Sequence, residues 1–135
     1  MHRVPTARPT RRRKGAVALL TAAVIAVGVP FAGAASARAD TRTPQEIAHQ
    51  RIPDAAQYKA FSEVISHESG WNPTARNPSG AYGLGQALPA EKMAAFGADW
   101  RTNPATQIAW ALHYMNTRYG SPQGAWDFWQ RNHWY

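Results

Sequence analysis

The sequence contains no cysteine, so no disulfide can brace any part of the 135-residue chain. A small domain without disulfides has to be held together by the packing of its side chains. The six Trp and five Tyr, all of which follow residue 40, supply apolar surface for that packing. Such aromatic density is typical of a hydrophobic core. It is also what a carbohydrate cleft needs, because sugar faces stack on aromatic rings.

Acidic residues are missing from the first 39 positions, whereas seven of the 15 basic residues lie there. An uncharged and largely apolar stretch, 15–37, follows the basic start, and Ala37 and Ala39 are small residues at the two positions that a signal peptidase reads. This pattern predicts a secretory signal peptide over 1–39, with cleavage after Ala39. The alternative is an uncleaved membrane anchor, because about 20 apolar residues can span a bilayer.

The basic character of the chain, a net charge of +7, belongs to this first segment. Without it, eight basic and eight acidic residues remain, so the mature chain has a net charge of zero. A chain without a basic excess is not typical of nucleic-acid-binding proteins, and this class is excluded. The remaining length suffices for one small domain, which we expect to be a monomer.

Capping signals mark the first two helices of the mature chain. A capping box that begins at Thr43 opens a short helix within 40–53, which we interpret as an N-terminal helix or linker. Asp54 is a typical N-cap for the next helix, and Gly70 is a typical stop. This second helix opens the catalytic domain, 54–135.

Turn-forming residues dominate the segment that follows this helix. Between 72 and 86, Asn-Pro, Pro-Ser-Gly and Gly-Leu-Gly sequences predict turns around a short β-hairpin or an irregular ribbon. Three more helices are expected, at Pro89 to about Phe96, Asn103 to Gly120, and from Ser121 onwards. The sequence therefore predicts a mainly α fold, a compact helical domain with a small β-hairpin or ribbon after the helix that ends at Gly70.

Glu68 is the candidate catalytic residue. At about 100° per residue, it falls within the apolar arc of Phe61 and Ile65, whereas Glu63 falls on the opposite, solvated side. Burial disfavours a charged carboxylate, and the negative end of the helix dipole acts in the same direction. Both effects favour a protonated Glu68, which is the state that a general acid needs. The alternative is a glutamate at a helix end that bends to solvent or caps a neighbour.

No Asp or Glu lies in 69–90, directly after this candidate acid. Glycosidases with two carboxylates need the second as a nucleophile or as a base for water. The downstream acids Glu91, Asp99 and Asp127 lie on other predicted elements. If Glu68 acts on a glycosidic bond, we therefore expect it to act alone, with the substrate supplying the nucleophile.

The chain resembles the lytic transglycosylases of the lysozyme superfamily in two runs, 68–73 (Glu-Ser-Gly-Trp-Asn-Pro) and 80–86 (Gly-Ala-Tyr-Gly-Leu-Gly-Gln). It is similar to the small secreted actinobacterial branch of that family in three further runs, 83–89, 103–108 and 118–122. The resemblance extends over most of residues 60–135, including Trp134 and Tyr135.

The resemblance implies a lysozyme-like fold and cleavage of the β-1,4 bond between N-acetylmuramic acid and N-acetylglucosamine in peptidoglycan glycan strands. It implies that Glu68 protonates the leaving oxygen and then deprotonates the C6 hydroxyl of the sugar, which closes a 1,6-anhydro ring. It implies no metal and no organic cofactor. With the signal peptide, it implies a secreted, cell-wall-associated protein without stable membrane association.

The candidate substrate-binding residues are Ser69, Trp71, Tyr82, Gln86 and Tyr114. The resemblance implies that Ser69 supports the acid by hydrogen bonding and that Gln86 lies in the cleft. Trp71 either stacks on a sugar or covers the helix end, and Tyr82 either lines the cleft or packs the ribbon. Tyr114 either takes the role of a tyrosine that larger relatives carry in a later helix or packs the core.

Two further polar side chains have open roles. Arg76 either contacts a carboxylate of a muramyl peptide or is a solvated loop arginine. His67 is expected to be solvated on its helix. No spacing of His and Asp residues indicates a metal site.

Two other functions stay open from the sequence. A hydrolytic muramidase needs a base for water, and Asp99 or Glu91 would have to fold over the cleft to supply it. A weakly catalytic cell-wall-binding or aggregation-promoting module needs no acid at all. The position of Glu68 on an apolar face argues against such a module, because burying a carboxylate costs stability.

Overall fold

A computed structural model describes residues 40–135, and the predicted signal peptide over 1–39 lies outside the described residues. The described chain is helical, with no regular strand among residues 40–135. Its elements are α1 (Pro44–Arg51), α2 (Ala55–Ser69), the 3-10 helix (Ala90–Phe96), α3 (Pro104–Tyr119) and α4 (Pro122–Asn132). The predicted mainly α fold is confirmed.

The helix boundaries follow the capping signals. The Thr43 hydroxyl accepts a hydrogen bond from the backbone N–H of Glu46, whose carboxylate accepts the backbone N–H of Thr43 at 2.7 Å. At the start of α2, the Asp54 carboxylate accepts the backbone N–H of Gln57 at 2.9 Å. Gly70 ends α2 with a left-handed φ of 58°. These local bonds satisfy backbone groups that a helix end leaves unpaired.

All four α-helices, the 3-10 helix and the segment before it contribute buried residues to one hydrophobic core. Helix α2 packs mainly against α4, and α3 packs against α4, α1 and the 3-10 helix. From α2, Phe61, Val64 and Ile65 are fully buried, which confirms the apolar arc predicted for this helix. From α3, Ile108 and Met115 are fully buried as well. None of the helices formed by residues 40–135 has the length and apolar character needed to cross a membrane.

The segment between α2 and the 3-10 helix is an irregular ribbon. Tyr82 forms isolated antiparallel bridges with Arg76 and with Ala87. Its backbone N–H and C=O pair with Ala87 at 3.1 and 3.0 Å. The Asn77 side-chain oxygen accepts hydrogen bonds from the backbone N–H groups of Ser79 and Ala81, each at 3.0 Å. These two bonds shape the turn. Of the two predicted forms, the irregular ribbon is present.

One buried glutamine fastens this ribbon to α3. Gln107 is fully buried, and its Oε1 accepts the backbone N–H of Leu84 at 2.8 Å. Its Nε2 donates to the carbonyls of Pro73 and Trp100, each at 2.8 Å. Gly83 has a φ of 81°, and a Cβ there would lie 2.6 Å from Gln107 Oε1, so only glycine suits the position. The amide thereby joins the ribbon, at Pro73 and Leu84, and the turn at Trp100 to α3.

Gln107→Leu is expected to lower the free energy of unfolding by about 3 kcal/mol, because it leaves buried backbone groups without partners. Urea unfolding followed by tryptophan fluorescence measures the change. The control Gln130→Leu, at an exposed position of α4, is expected to stay within about 0.5 kcal/mol of wild type. Equal losses for both variants would show that the amide of Gln107 is not what holds the ribbon.

Candidate active site

Glu68 lies in the last turn of α2, two residues before Gly70 ends the helix, and its side chain is half-buried. Burial raises the pKa of Glu68, and a hydrogen bond from Trp129 and the charge of nearby His67 oppose this rise without reversing it. A raised pKa keeps more of the carboxyl protonated as the pH approaches neutrality. Glu63 is partly buried in the structure, rather than fully solvated as the helical phase predicted.

An indole from α4 fixes one oxygen of this carboxyl group. Trp129 Nε1 donates to Glu68 Oε1 at 3.0 Å, across 61 residues of sequence. His67 stacks on Trp129 with ring centroids 4.1 Å apart, and Trp126 stacks beside it at 5.4 Å. His133 meets the same indole edge-on at 5.3 Å. Rings on several sides hold Trp129, so its N–H has a fixed direction.

The indole bond determines which oxygen of Glu68 can carry the proton. An indole N–H is a donor only, so Glu68 Oε1 has to act as an acceptor toward Trp129. In the neutral carboxyl group the proton therefore belongs on Oε2. The site thus presents one oriented O–H that is suited to general acid chemistry.

An aromatic group from the end of the described chain lies next to the acid. The Tyr135 hydroxyl donates to the Gly85 carbonyl at 2.8 Å, and its burial, followed by the charge of Glu68, raises the pKa of Tyr135 well above the ordinary value. A Cβ on Gly85 would lie 2.9 Å from that hydroxyl and 3.0 Å from the Trp110 ring. Tyr114 stacks on Trp110 at 5.2 Å and meets Tyr135 edge-on at 5.4 Å. Tyr114 is therefore linked to the acid through Tyr135.

The two candidates that directly follow the acid make contacts within the end of α2. The Ser69 hydroxyl donates to the Ile65 carbonyl at 3.2 Å rather than to Glu68. Trp71 Nε1 donates to the Ser66 hydroxyl at 3.0 Å. The Trp71 indole is tilted against the buried ring of Phe61, with ring centroids 6.3 Å apart. These contacts fit the interpretation of Trp71 as a cover over the helix end. A substrate-binding role for either residue stays a prediction.

The two candidates on the ribbon shape the ribbon itself. Tyr82 is 7% exposed, and its hydroxyl donates to the Arg101 carbonyl at 2.6 Å. Gln86 has a φ of 51°, and its Nε2 donates to the Gly83 carbonyl at 2.9 Å. Neither makes a hydrogen bond to Glu68 in the structure. Their proposed contact with substrate stays a prediction.

The other acids named as alternatives have different surroundings. Both oxygens of Asp99 accept hydrogen bonds at 2.7 Å, from Asn103 and from Thr106, and these bonds lower the pKa of Asp99. Glu91 is exposed on the 3-10 helix. Residues 40–135 contain all eight acidic residues of the chain, and no carboxylate among them contributes to the shift of the Glu68 pKa. The same residues contain no group of three or more His, Asp or Glu side chains placed to hold a metal ion.

Local sequence reasoning missed the partner of the acid. Trp126, Trp129 and His133 recur at helical spacing, which indicates one aromatic face on α4. That spacing gives no sign that the face meets the end of α2. One signal was available in the sequence. A buried indole N–H usually finds a hydrogen-bond acceptor, so tryptophans on an apolar helix face predict a polar partner on the element that packs against them.

The raised pKa predicts a stability cost that depends on pH. Because folding raises the Glu68 pKa, the native state binds the proton more tightly than the unfolded chain. The resulting penalty is absent at pH values below the ordinary glutamate pKa and grows as pH rises through the native value. Glu68→Gln is therefore expected to be more stable than wild type at neutral pH, with a difference that shrinks toward acid pH. Urea midpoints across this pH range measure it, and a constant difference would contradict it.

Two comparisons relate the chain to known proteins. The family model described as "Transglycosylase SLT domain" matches residues 52–134. A curated relative, "Probable transglycosylase IsaA" of Staphylococcus haemolyticus (strain JCSC1435), is 31% identical over 94 residues. The match covers 69% of this chain, and the chain spans 36% of that relative's length. No solved structure matches the chain.

Proposed function

The chain belongs to the Transglycosylase SLT domain family, and from this membership we propose that it is an exported peptidoglycan lytic transglycosylase of the small secreted actinobacterial branch. It cleaves the β-1,4 bond between N-acetylmuramic acid and N-acetylglucosamine and leaves 1,6-anhydro-N-acetylmuramic ends. Glu68 is the single catalytic residue. The observation that carries this proposal is the partly buried Glu68 carboxyl group, held at one oxygen by Trp129 Nε1 at 3.0 Å.

The chemistry proceeds in two proton transfers at Glu68. Its Oε2–H protonates the glycosidic oxygen, the bond from that oxygen to the anomeric carbon of the muramic acid breaks, and N-acetylglucosamine leaves with a free C4 hydroxyl. The C6 hydroxyl of the same muramic acid then attacks its anomeric carbon. The proton from C6 returns to the Glu68 carboxylate, which restores the acid. No water is consumed, and one strand becomes two.

Trp129 supports both protonation states of the acid. Its N–H holds Oε1 while Oε2 donates, and the same bond stabilises the carboxylate that forms after donation. The five candidate substrate-binding residues stay proposals, and among them Tyr114 packs edge-on against Tyr135.

The hydrolytic alternative has less support. It requires Asp99 or Glu91 as a base across the cleft. Both oxygens of Asp99 are already engaged at the start of α3, which would have to be disrupted to free them. A purely wall-binding function does not explain why the Glu68 carboxyl group is partly buried, which costs stability, or why one of its oxygens is held by Trp129.

Release of soluble fragments from insoluble peptidoglycan by the purified protein tests the proposal. We expect turbidity to fall and muropeptides to appear in the supernatant, and intact peptidoglycan after prolonged incubation would overturn the proposed activity. Export rests on the predicted signal peptide over 1–39. Sequencing of the extracellular protein from its N-terminus tests it, with Asp40 as the expected first residue.

Trp129→Phe is expected to move the basic limb of the kcat/KM–pH profile to higher pH. Glu68 has to be protonated to donate, so activity falls as pH rises through its pKa. Removing the indole N–H removes a bond that favours the charged form, so the pKa rises further. Loss of orientation is expected to lower kcat by about tenfold at the same time.

Trp126→Phe is the matched control for this profile. Trp126 belongs to the same ring stack, yet the indole that donates to Glu68 is Trp129. The control is expected to leave the basic limb in place. Equal displacement in both variants would assign the effect to stacking rather than to the hydrogen bond.

A further inference from the structure

A polar cavity of about 390 Å³ lies away from the Glu68 carboxyl group, between the ribbon, the 3-10 helix and the turn before α3. This volume is within the range of small-ligand sites, roughly 300–1,000 Å³. Its charged side chains are Arg76, Arg101 and Glu91. Arg76 is the residue for which the sequence left open a contact with a peptide carboxylate.

One aromatic framework carries both arginines. The Arg76 guanidinium lies 5.0 Å from the centre of the Tyr82 ring, and the Arg101 guanidinium lies 4.2 Å from the Trp100 ring. The two rings pack edge-on with centroids 5.6 Å apart. Tyr82 also bridges to the backbone of Arg76 and donates its hydroxyl to the carbonyl of Arg101. Tyr82 therefore contacts the Arg76 guanidinium and the Arg101 backbone, and its neighbour Trp100 contacts the Arg101 guanidinium.

The charges of this cavity are not neutralised within the described chain. Among residues 40–135 the one ion pair joins Arg42 to Asp40, so neither Arg76 nor Arg101 has a carboxylate within 4.0 Å. Glu91 faces the same cavity from the 3-10 helix without such a pair. The cavity thus offers two cations and one anion to a ligand.

We propose that this cavity binds a short peptide that carries both carboxylates and an ammonium group. Its carboxylates pair with Arg76 and Arg101, and its ammonium group pairs with Glu91. This inference rests on the proposed function, because the peptide stems of peptidoglycan supply both groups. A uniformly anionic wall polymer fits the cavity less well, since Glu91 repels it.

Hydrogen bonds along the ribbon link Tyr135 to the backbone beside Arg76. The Tyr135 hydroxyl donates to the carbonyl of Gly85, the residue directly before Gln86. Gln86 Nε2 donates to the carbonyl of Ala75, the residue directly before Arg76.

Calorimetric titration of the purified protein with a free stem peptide tests the proposal. The probes are L-alanyl-γ-D-glutamyl-L-lysyl-D-alanine, the same peptide with amidated carboxylates, and glycerol 3-phosphate. We expect the free peptide to bind and the amidated peptide not to bind. Arg76→Ala and Arg101→Ala are each expected to raise Kd by about tenfold. Arg51→Ala, which removes an exposed arginine at the end of α1, is the matched control and should leave Kd unchanged.

Glu91→Gln decides which kind of ligand the cavity takes. It weakens binding of a peptide with an ammonium group, whereas it strengthens binding of a uniformly anionic ligand. Tighter binding of glycerol 3-phosphate than of the peptide by the wild-type protein, or peptide binding that is indifferent to the two arginines or to Glu91→Gln, would overturn the proposal. The titration requires no cleavage, so a protein that binds the peptide yet leaves peptidoglycan intact would contradict the proposed activity alone.

Discussion

Glu68→Gln is expected to lower the rate of peptidoglycan cleavage by about a thousandfold, the effect of losing a positioned general acid. The amide has the same size as the carboxyl group, and its oxygen can still accept the N–H of Trp129. It has no proton to give to the glycosidic oxygen. The fold is therefore kept while the first chemical step is lost.

Glu63→Gln is the matched control, because both glutamates lie on α2 and both are partly buried. Release of labelled fragments from peptidoglycan measures activity, and circular dichroism with thermal unfolding checks the fold of each variant. We expect Glu63→Gln to stay within about twofold of wild type. Comparable losses in the two variants would mean that Glu68 is not the acid.

Cleavage in ¹⁸O-water is expected to give muramic ends without label. The proposed mechanism assigns one carboxylate, Glu68, to the site, so it takes the C6 hydroxyl of the sugar as the nucleophile. Well-oriented intramolecular attack reaches effective molarities of about 10⁵–10⁸ M, far above the roughly 55 M of water. A cleft that holds C6 near the anomeric carbon therefore favours ring closure.

Mass spectrometry of the products measures the mass and the ¹⁸O content of the muramic ends. Anhydro ends are lighter than hydrolysed ends by one water, about 18 mass units, and they take up no ¹⁸O. A hydrolytic muramidase digested in parallel supplies the labelled reference. Reducing, labelled ends from this protein would refute the transglycosylase mechanism and direct attention to Asp99 and Glu91.

The elements that sequence analysis predicted are those set by neighbouring residues. The caps at Thr43, Asp54 and Gly70 act within one helical turn, so their sequence signals suffice. The burial of Phe61 and Val64 follows from the 3.6-residue period of α2 alone. The raised pKa of Glu68 could be predicted for the same reason, because the position of Glu68 on the apolar arc follows from the neighbouring residues of α2.

Contacts between distant residues could not be predicted in this way. Gln107 bonds to Leu84 across 23 residues, and Trp129 bonds to Glu68 across 61. Each looks like an ordinary helical residue until the helices are packed together. Ser69 shows the converse, since its hydroxyl bonds to α2 rather than to the acid beside it. Where a side chain has several possible hydrogen-bond partners, the folded structure and not the local sequence shows which partner it takes.

The hydrogen bond that holds the Glu68 carboxyl group depends on the docking of α4. Trp129 follows Glu68 by 61 residues, so this bond forms only when α4 packs against α2. In the finished protein, detachment of α4 from α2 would disable the site while α2 and α3 stay folded, because local opening needs less free energy than global unfolding. If the proposed function holds, docking of α4 controls whether the acid is oriented, and hydrogen exchange in α4 would report how often α4 is detached.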